Sequence, residues 1–242
     1  MRLDVYLTEN NFFESRKKAT DNIKGGYVSV DGKIIDKPAF SVEGSEKIEI
    51  VGNACPYVSR GGFKLEGALD FFDIDVKNMV CVDIGSSTGG FTDCLLQRGA
   101  LKVFAVDSGK NQLHTKLRED DRVICMEEFN ARQLSLDDIG TEVDLAVMDV
   151  SFISQTLLYS AVSSVLKSGG LFISLIKPQF EAGKSNIGKN GIVKNEKIHK
   201  TVCESIKENA LIYGLECIKI IDSPIRGGDG NKEFLALFRL NK

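Results

Sequence analysis

An acid followed by a glycine-rich turn, Asp83-Ile84-Gly85-Ser86-Ser87-Thr88-Gly89-Gly90-Phe91, comes after a strand-like apolar run and opens a helix-like one. Open α/β sheets bind their ligands at this kind of position. Glycines there let backbone amides approach a cofactor, and the positive end of the helix favours a carboxylate. A dinucleotide fingerprint requires glycine where Ser87 stands and has no place for Asp83 directly ahead of the turn. Both differences point to S-adenosylmethionine, whose methionine carboxylate would meet the helix start. Asp107 closes the next strand, where a carboxylate can accept both ribose hydroxyl protons, an arrangement dinucleotide enzymes share. Asn130, after the third strand, is a candidate for the adenine edge, with an ordinary turn residue as the open alternative.

Four charged residues outside the turn fall at positions where chemistry is done. Asp149 and Lys177 stand at the C-terminal ends of the fourth and fifth strands and should point into the crevice beside the cofactor. Glu233 opens the last strand, and Lys64 lies on a helix ahead of the sheet, within Ser59-Arg60-Gly61-Gly62-Phe63-Lys64-Leu65. Taken singly, such residues are usually solvated surface charges.

The elements that must position them follow from apolar periodicity. Gly62 to Phe72 reads as helix; Val80–Asp83, Lys102–Asp107, Val123–Met126, Leu145–Asp149 and Gly170–Ile176 read as strands alternating with helices. That alternation implies a parallel sheet covered on both faces. Leu215–Asp222 and Glu233–Leu240 have no helix between them, only the Gly-rich loop Arg226–Asn231, and should form an antiparallel hairpin. The expected fold class is α/β: a class I, Rossmann-like methyltransferase with a mostly parallel seven-stranded sheet, behind a small α+β N-terminal domain. The stretch from Gln179 to Lys194, with Lys184, Lys189 and Lys194, reads as a loop that either closes over a substrate or stays in solvent.

Residues 1–52 have a different texture. Leu3, Tyr6 and Leu7 recur at helical spacing, and Ser15 is placed to cap a second helix running through Ile23 and closed by Gly25-Gly26. Tyr27 to Ile34 alternates around an Asp31-Gly32 hairpin signal, and Lys47 to Val51 supplies another short strand. Gly52-Asn53-Ala54-Cys55-Pro56 breaks the pattern, so the boundaries are placed at 1–52, a linker at 53–58, and 59–242. Arg2-Leu3-Asp4, Ser15-Arg16, Ala19, Ile23, Gly26-Tyr27-Val28, Asp31-Gly32 and Lys37-Pro38 together resemble the S4 RNA-binding domain. The resemblance implies a basic surface recognising structured RNA through shape and phosphates, with Arg2, Arg16, Lys17, Lys18, Lys24 and Arg60 as candidate contacts.

Lys64, Asp149, Lys177 and Glu233, in their contexts Ser-Arg-x-x-x-Lys-Leu, strand-end Asp, Ile-Lys-Pro and strand-opening Glu, resemble the Lys-Asp-Lys-Glu tetrad of FtsJ-type RNA ribose 2′-O-methyltransferases. With the S4-like segment in front, Gly89-Gly90-Phe91-Thr92 and Lys177-Pro178-Gln179-Phe180-Glu181, the chain resembles the TlyA (hemolysin A) family over nearly its full length. The resemblance implies ribosomal RNA or ribosomal subunits as partner and cytidine as the modified nucleoside, with no DNA partner. A ribose hydroxyl is a poor nucleophile and a poor acid, so transfer from a sulfonium needs in-line placement and a proton acceptor. Lys177 is the expected base, its amine brought from a reference pKa of about 10.4 toward roughly 7–8, with Lys64 supplying repulsion. Asp149 would fix the Lys177 amine and lie near the transferred methyl; Glu233 would hold Lys64 or the ribose. Asp83, Gly85, Ser86, Ser87, Thr88, Gly89, Gly90, Phe91, Asp107, Asn130 and Asp149 are the expected cofactor contacts.

Composition narrows the alternatives. The 242 residues are 43% hydrophobic, enough for one α/β domain and a small module. A net charge of −3 excludes a uniformly positive nucleic-acid-coating surface. Neither a signal-peptide pattern nor a long apolar span is visible, so a cytoplasmic protein is expected, without a membrane partner. Cys55, Cys81, Cys94, Cys125, Cys203 and Cys217 form no CxxC pair and should be reduced and mostly buried; with only His114 and His199 available, no metal site is expected. Two rival readings stand beside the enzyme: a noncatalytic RNA-binding or assembly factor, and a membrane-active protein of the kind the hemolysin name suggests.

Overall fold

The computed structural model describes residues 1–51, 55–227 and 230–241. The chain divides into two compact units, Met1–Gly62 and Phe63–Lys242.

In the first unit, helices α1 (Leu3–Glu9) and α2 (Arg16–Lys24) precede strands β1 (Val28–Val30), β2 (Lys33–Ile34) and β3 (Ile48–Ile50). Ser15 caps α2 by accepting from the Lys18 N–H at 3.2 Å, and Gly25 follows the last turn. Asp31 and Gly32 both take positive φ, 50° and 76°, the tight-hairpin geometry that pairs Val30 with Lys33. β1 is central, antiparallel to both neighbours. Leu3, Leu7, Ala19, Ile23, Val28, Val30 and Val42 form the core.

The segment read as a linker behaves differently from a tether. Residues 53 and 54 lie outside the described ones, but Cys55, Tyr57 and Val58 are buried. The Asn22 side chain accepts from the Cys55 N–H at 3.0 Å, and the Lys18 ammonium donates to the Tyr57 carbonyl at 3.0 Å. The compact division therefore comes after residue 62, later in the chain than the composition break.

The second unit begins in helix α3 (Gly61–Phe72) and alternates as expected: β4 (Val80–Ile84), α4 (Gly90–Gln97), β5 (Lys102–Val106), α5 (Thr115–Arg118), β6 (Val123–Met126), α6 (Leu136–Ile139), β7 (Val143–Met148), α7 (Tyr159–Val165), β8 (Leu166–Ile176), α8 (Pro178–Glu181) and α9 (Glu196–Ile212), then β9 (Leu215–Asp222) and β10 (Phe234–Leu240). The sheet order is β6-β5-β4-β7-β8-β10-β9. The pairs from β6 through β8 are parallel, while β10 runs antiparallel to both β8 and β9. The connection between β9 and β10 includes residues 228 and 229, which are outside the described ones.

Strand order reverses between β4 and β7, which opens a crevice at their C-terminal ends. The glycine turn leaves β4 there, and Asp149 leaves β7. β8 is longer than its apolar run, because Leu166 pairs with Val143 before a register shift brings Leu171 opposite Leu145. Cys55, Cys81 and Cys94 are buried, but Cys203 and Cys217 are half-buried and Cys125 is exposed, so burial of the thiols is less complete than expected. Cys125 lies on β6, the edge strand at that end of the sheet. Among the described residues no helix is long and apolar enough to cross a membrane.

The core behind β8 and β10 is aromatic: Phe172 stacks on Phe238 with centroids 5.4 Å apart, and Tyr159 meets both. Phe238→Ala empties a fully buried position and is expected to cost about 3–5 kcal/mol in urea denaturation. A loss below about 1 kcal/mol would show that this layer does not anchor the β8–β10 pair.

Candidate functional site

The glycine turn is pinned by backbone hydrogen bonds. Gly85 and Ser86 both donate N–H groups to the Val106 carbonyl, at 2.8 and 3.1 Å, tying the turn to the end of β5. Gly85 has φ +81°, and a Cβ there would stand 2.6 Å from the Asp149 carbonyl oxygen. A side chain at that position would fill the crevice between the two strand ends. Gly89, at φ +98°, leaves room for Leu117 against the start of α4.

Beyond the turn lies a cavity of about 410 Å³ lined by Gly85, Ser87, Asp107, Asn130, Asp149 and further residues that include Gln112, Phe129, Ser151 and Phe152. Asp107 accepts from the Ser87 N–H at 2.8 Å and the Gly109 N–H at 2.7 Å, which orients its carboxylate while leaving lone pairs for a ligand hydroxyl. Asn130 serves both readings: it accepts from the Arg132 N–H as a turn cap and also lines the cavity.

Not every residue of the turn faces this space. Ser86, Thr88, Gly89, Gly90 and Phe91 are absent from its lining; Ser86, Gly90 and Phe91 are buried and build the turn and helix start instead. Their place in the motif reflects backbone geometry, which a sequence pattern does not separate from ligand contact. Asp83 is also out of the cavity wall and fully buried. Its Oδ2 accepts from the Thr92 N–H and hydroxyl at 3.0 and 2.7 Å, while Oδ1 has no partner among the described residues. Burial, reinforced by Asp149 and Asp107, pushes this carboxyl up to about 7. An oriented acid at the next strand end and a cradle that a Cβ would fill suit a cofactor carrying a ribose.

A second cavity, about 360 Å³, is lined by Lys64, Ser151, Phe152, Lys177, Gln179, Phe180, Ile187, Gly191 and Glu233. Ser151 and Phe152 belong to both cavities. Lys177 pairs with Asp149 at 2.5 Å and donates to the Ser151 hydroxyl at 2.8 Å. Lys64 pairs with Glu233 at 2.6 Å, both almost fully buried. The structure thus brings the four charged residues into two ion pairs, and Lys64 is neutralised by Glu233. Glu233 immediately precedes β10, its carbonyl accepting from the Ser223 N–H at 2.9 Å. Gly227 makes room for its carboxylate, since a Cβ there would lie 2.5 Å from Oε1.

Sequence reasoning passed over Ser151 and Phe152. Phe152 is 91% exposed and holds φ +64°, a costly conformation for an aromatic residue. Its ring tilts against Phe180 at 5.2 Å. An aromatic three residues after a strand-end acid is a weak signal, and nothing in the sequence discloses the strained backbone that turns it outward.

The expected RNA contacts fall in the first unit and are mostly engaged within it. Arg2 grips Asp4 with two hydrogen bonds of 2.9 Å, and Arg16 adds a third at 3.0 Å. Those bonds, the Arg2 pair foremost, hold the buried Asp4 carboxyl down to about 2. Both arginine side chains keep about half their surface exposed. Lys18 is tied to Tyr57, and Arg60 is largely buried against Asp21 at 3.3 Å. Lys17 and Lys24 also act on Asp21 by charge.

The FtsJ-like methyltransferase model matches residues 57–240, and the S4 domain model matches residues 1–48. YqxC of Bacillus subtilis (strain 168) is 45% identical over 97% of this chain and 84% of its own. The Mycobacterium tuberculosis (strain ATCC 25618 / H37Rv) 16S/23S rRNA (cytidine-2′-O)-methyltransferase TlyA is 38% identical over 98% of this chain and 89% of its own. A solved Streptococcus thermophilus structure bearing a hemolysin name is 43% identical, covers 100% of this chain and 89% of its own, and superposes with a TM-score of 0.80.

The weakened acidity of Asp83 makes stability depend on pH. Its folded value of about 7 lies above the unfolded carboxyl range, so between about pH 4 and pH 7 the folded state holds a proton that the unfolded state has released. Stability without cofactor falls across that window, and the penalty is complete above pH 7. Asp83→Asn is therefore expected to raise the unfolding midpoint relative to the parent more at pH 8 than at pH 5, while weakening cofactor binding. An equal offset at both pH values would remove Asp83 as the responsible group.

Proposed function

Because the chain belongs to the FtsJ-like methyltransferase family, with an S4 domain ahead of the catalytic unit, we propose that it is an S-adenosylmethionine-dependent ribose 2′-O-methyltransferase of ribosomal RNA. Cytidine, the nucleoside in the name of the Mycobacterium tuberculosis relative, is the proposed target, and the cytoplasm the proposed setting. The observation that carries the reading is the pair of adjoining cavities: one suited to the cofactor, the other bounded by Lys64, Lys177 and Glu233, with Ser151 and Phe152 common to both. When bound, S-adenosylmethionine supplies a methyl group on a sulfonium, which passes to an oxygen in line with the breaking C–S bond.

The protein's part is orientation and proton transfer. Asp107 and Asn130, on the cavity wall, would orient the nucleoside end of the cofactor, while Asp83, buried behind the glycine turn, holds Thr92 and with it the start of the helix beneath. Lys177, aimed by Asp149 and Ser151, is the proposed acceptor of the 2′-hydroxyl proton. Lys64, held by Glu233, hydrogen-bonds the ribose oxygen from the other wall. Phe152, exposed at the rim, offers a face to a base turned out of its stack. Arg2 and Arg16, steadied by Asp4, present their exposed faces to phosphates. Since the alcohol begins neutral and the sulfonium charge is dispersed, placement dominates; holding two reactants as near-attack partners is worth roughly 7–11 kcal/mol.

Lys177 lies outside the cofactor cavity wall. Lys177→Ala is therefore expected to lower methyl transfer from labelled cofactor to ribosomal RNA by about 10²–10⁴-fold, with cofactor affinity by calorimetry nearly unchanged. Turnover equal to the parent's would eliminate Lys177 as the base.

A further inference from the structure

The Lys177-Pro178-Gln179-Phe180-Glu181 run contains one ionisable group that the proposed chemistry leaves unused. Pro178–Glu181 form a single helical turn started by Lys177, with the Phe180 N–H donating to the Lys177 carbonyl at 2.9 Å. That turn brings Glu181 back toward the segment leaving β7. Its Oε2 accepts from the Ser154 hydroxyl at 2.6 Å and its Oε1 from the Gln155 N–H at 2.9 Å. Gln155 is the first residue of a short 3-10 helix, Gln155–Leu158, and Ser154 is its N-cap. A carboxylate at a helix start satisfies orphan N–H groups and suits the local dipole.

Residues 149–153 line the cofactor cavity, while residues 177–180 supply Lys177, Gln179 and Phe180 to the second cavity. The two segments touch at their near ends through Lys177 with Asp149 and Ser151, and midway through Phe152 on Phe180. Glu181 closes their far ends. Three joints hold two segments in one register, whereas the ion pair alone would leave each free to pivot about it.

We infer that Glu181 is a positioning residue: its two-point clamp on Ser154 and Gln155 fixes the distance and direction of the Lys177 amine relative to the cofactor cavity. This rests on Lys177 being the base. Burial raises the Glu181 carboxyl, opposed by the bonds from Ser154 and Gln155, so the group is held at this spot against a desolvation cost. Ser154→Ala removes one arm of the clamp, and Glu181→Ala removes both. Glu181→Gln keeps both, since its amide oxygen accepts from the Gln155 N–H while its NH₂ donates to the Ser154 oxygen.

The test is steady-state methyl transfer to ribosomal RNA, with cofactor Kd by calorimetry and thermal unfolding, on the full chain carrying Glu181→Ala, Glu181→Gln, Ser154→Ala or Lys177→Ala. A displaced amine is expected to lower kcat of Glu181→Ala by about a hundredfold. Cofactor Kd and the unfolding midpoint should stay near the parent's, Ser154→Ala should be intermediate, and Glu181→Gln should return to within about threefold of the parent. A Glu181→Ala loss below about tenfold overturns the inference, as does a Gln variant as slow as the Ala variant. So does a loss that tracks cofactor affinity and unfolding together, which marks general loosening. Lys177→Ala separates the two readings: if it turns over normally the base assignment falls, whereas an inactive Lys177→Ala beside an active Glu181→Ala removes only the clamp.

Discussion

The contact between Lys177 and Asp149, at 2.5 Å across the ends of two neighbouring parallel strands, is the constraint around which the catalytic unit is arranged. Its geometry is set by strand register. β7 and β8 pair from Leu145 opposite Leu171 to Met148 opposite Ser174, so both chains leave the sheet on the same edge. The reversal of strand order between β4 and β7 opens the sheet edge beside that pair for a ligand. Gly85 keeps the crevice clear, because any side chain there would meet the Asp149 carbonyl.

A second ion pair, Lys64 with Glu233, closes the opposite wall. It is nearly dry, and a buried pair contributes little net stability against apolar residues of the same size. Losing one partner, however, strands the other charge at about 3–5 kcal/mol. Such an arrangement is expensive unless it serves recognition, and here it leaves an oriented ammonium facing a cavity it shares with Lys177. The antiparallel β10 makes this possible: entering the sheet from the crevice end, it delivers Glu233 where a parallel strand would deliver its C-terminal residue.

Much of this was legible in the sequence, for identifiable reasons. Apolar runs separated by helical spacing located every strand of the large sheet, though β7 and β8 start two and four residues earlier than their apolar runs, and the missing helix before the last strand foretold the hairpin. The glycine turn and the strand-end acids could be located because backbone sterics and sheet topology leave few other uses for them. Phe152 stayed hidden because a positive φ in an aromatic residue has no compositional mark. Residues 53–58 read as a tether because of the turn-forming residues there, yet Asn22 and Lys18 draw Cys55 and Tyr57 onto the first unit through contacts 33 and 39 positions apart. The division of labour within the glycine turn was equally invisible, since Ser87 lines the cavity and Thr88 does not.

The proposed chemistry puts the methyl group on a sugar oxygen and on no base atom. Nucleoside mass spectrometry of ribosomal RNA incubated with the protein and S-adenosylmethionine tests this directly. Gain of 2′-O-methylcytidine with an unmodified base is the predicted result; a methyl group found on a base, or no new methylated nucleoside with cofactor demonstrably bound, would contradict it.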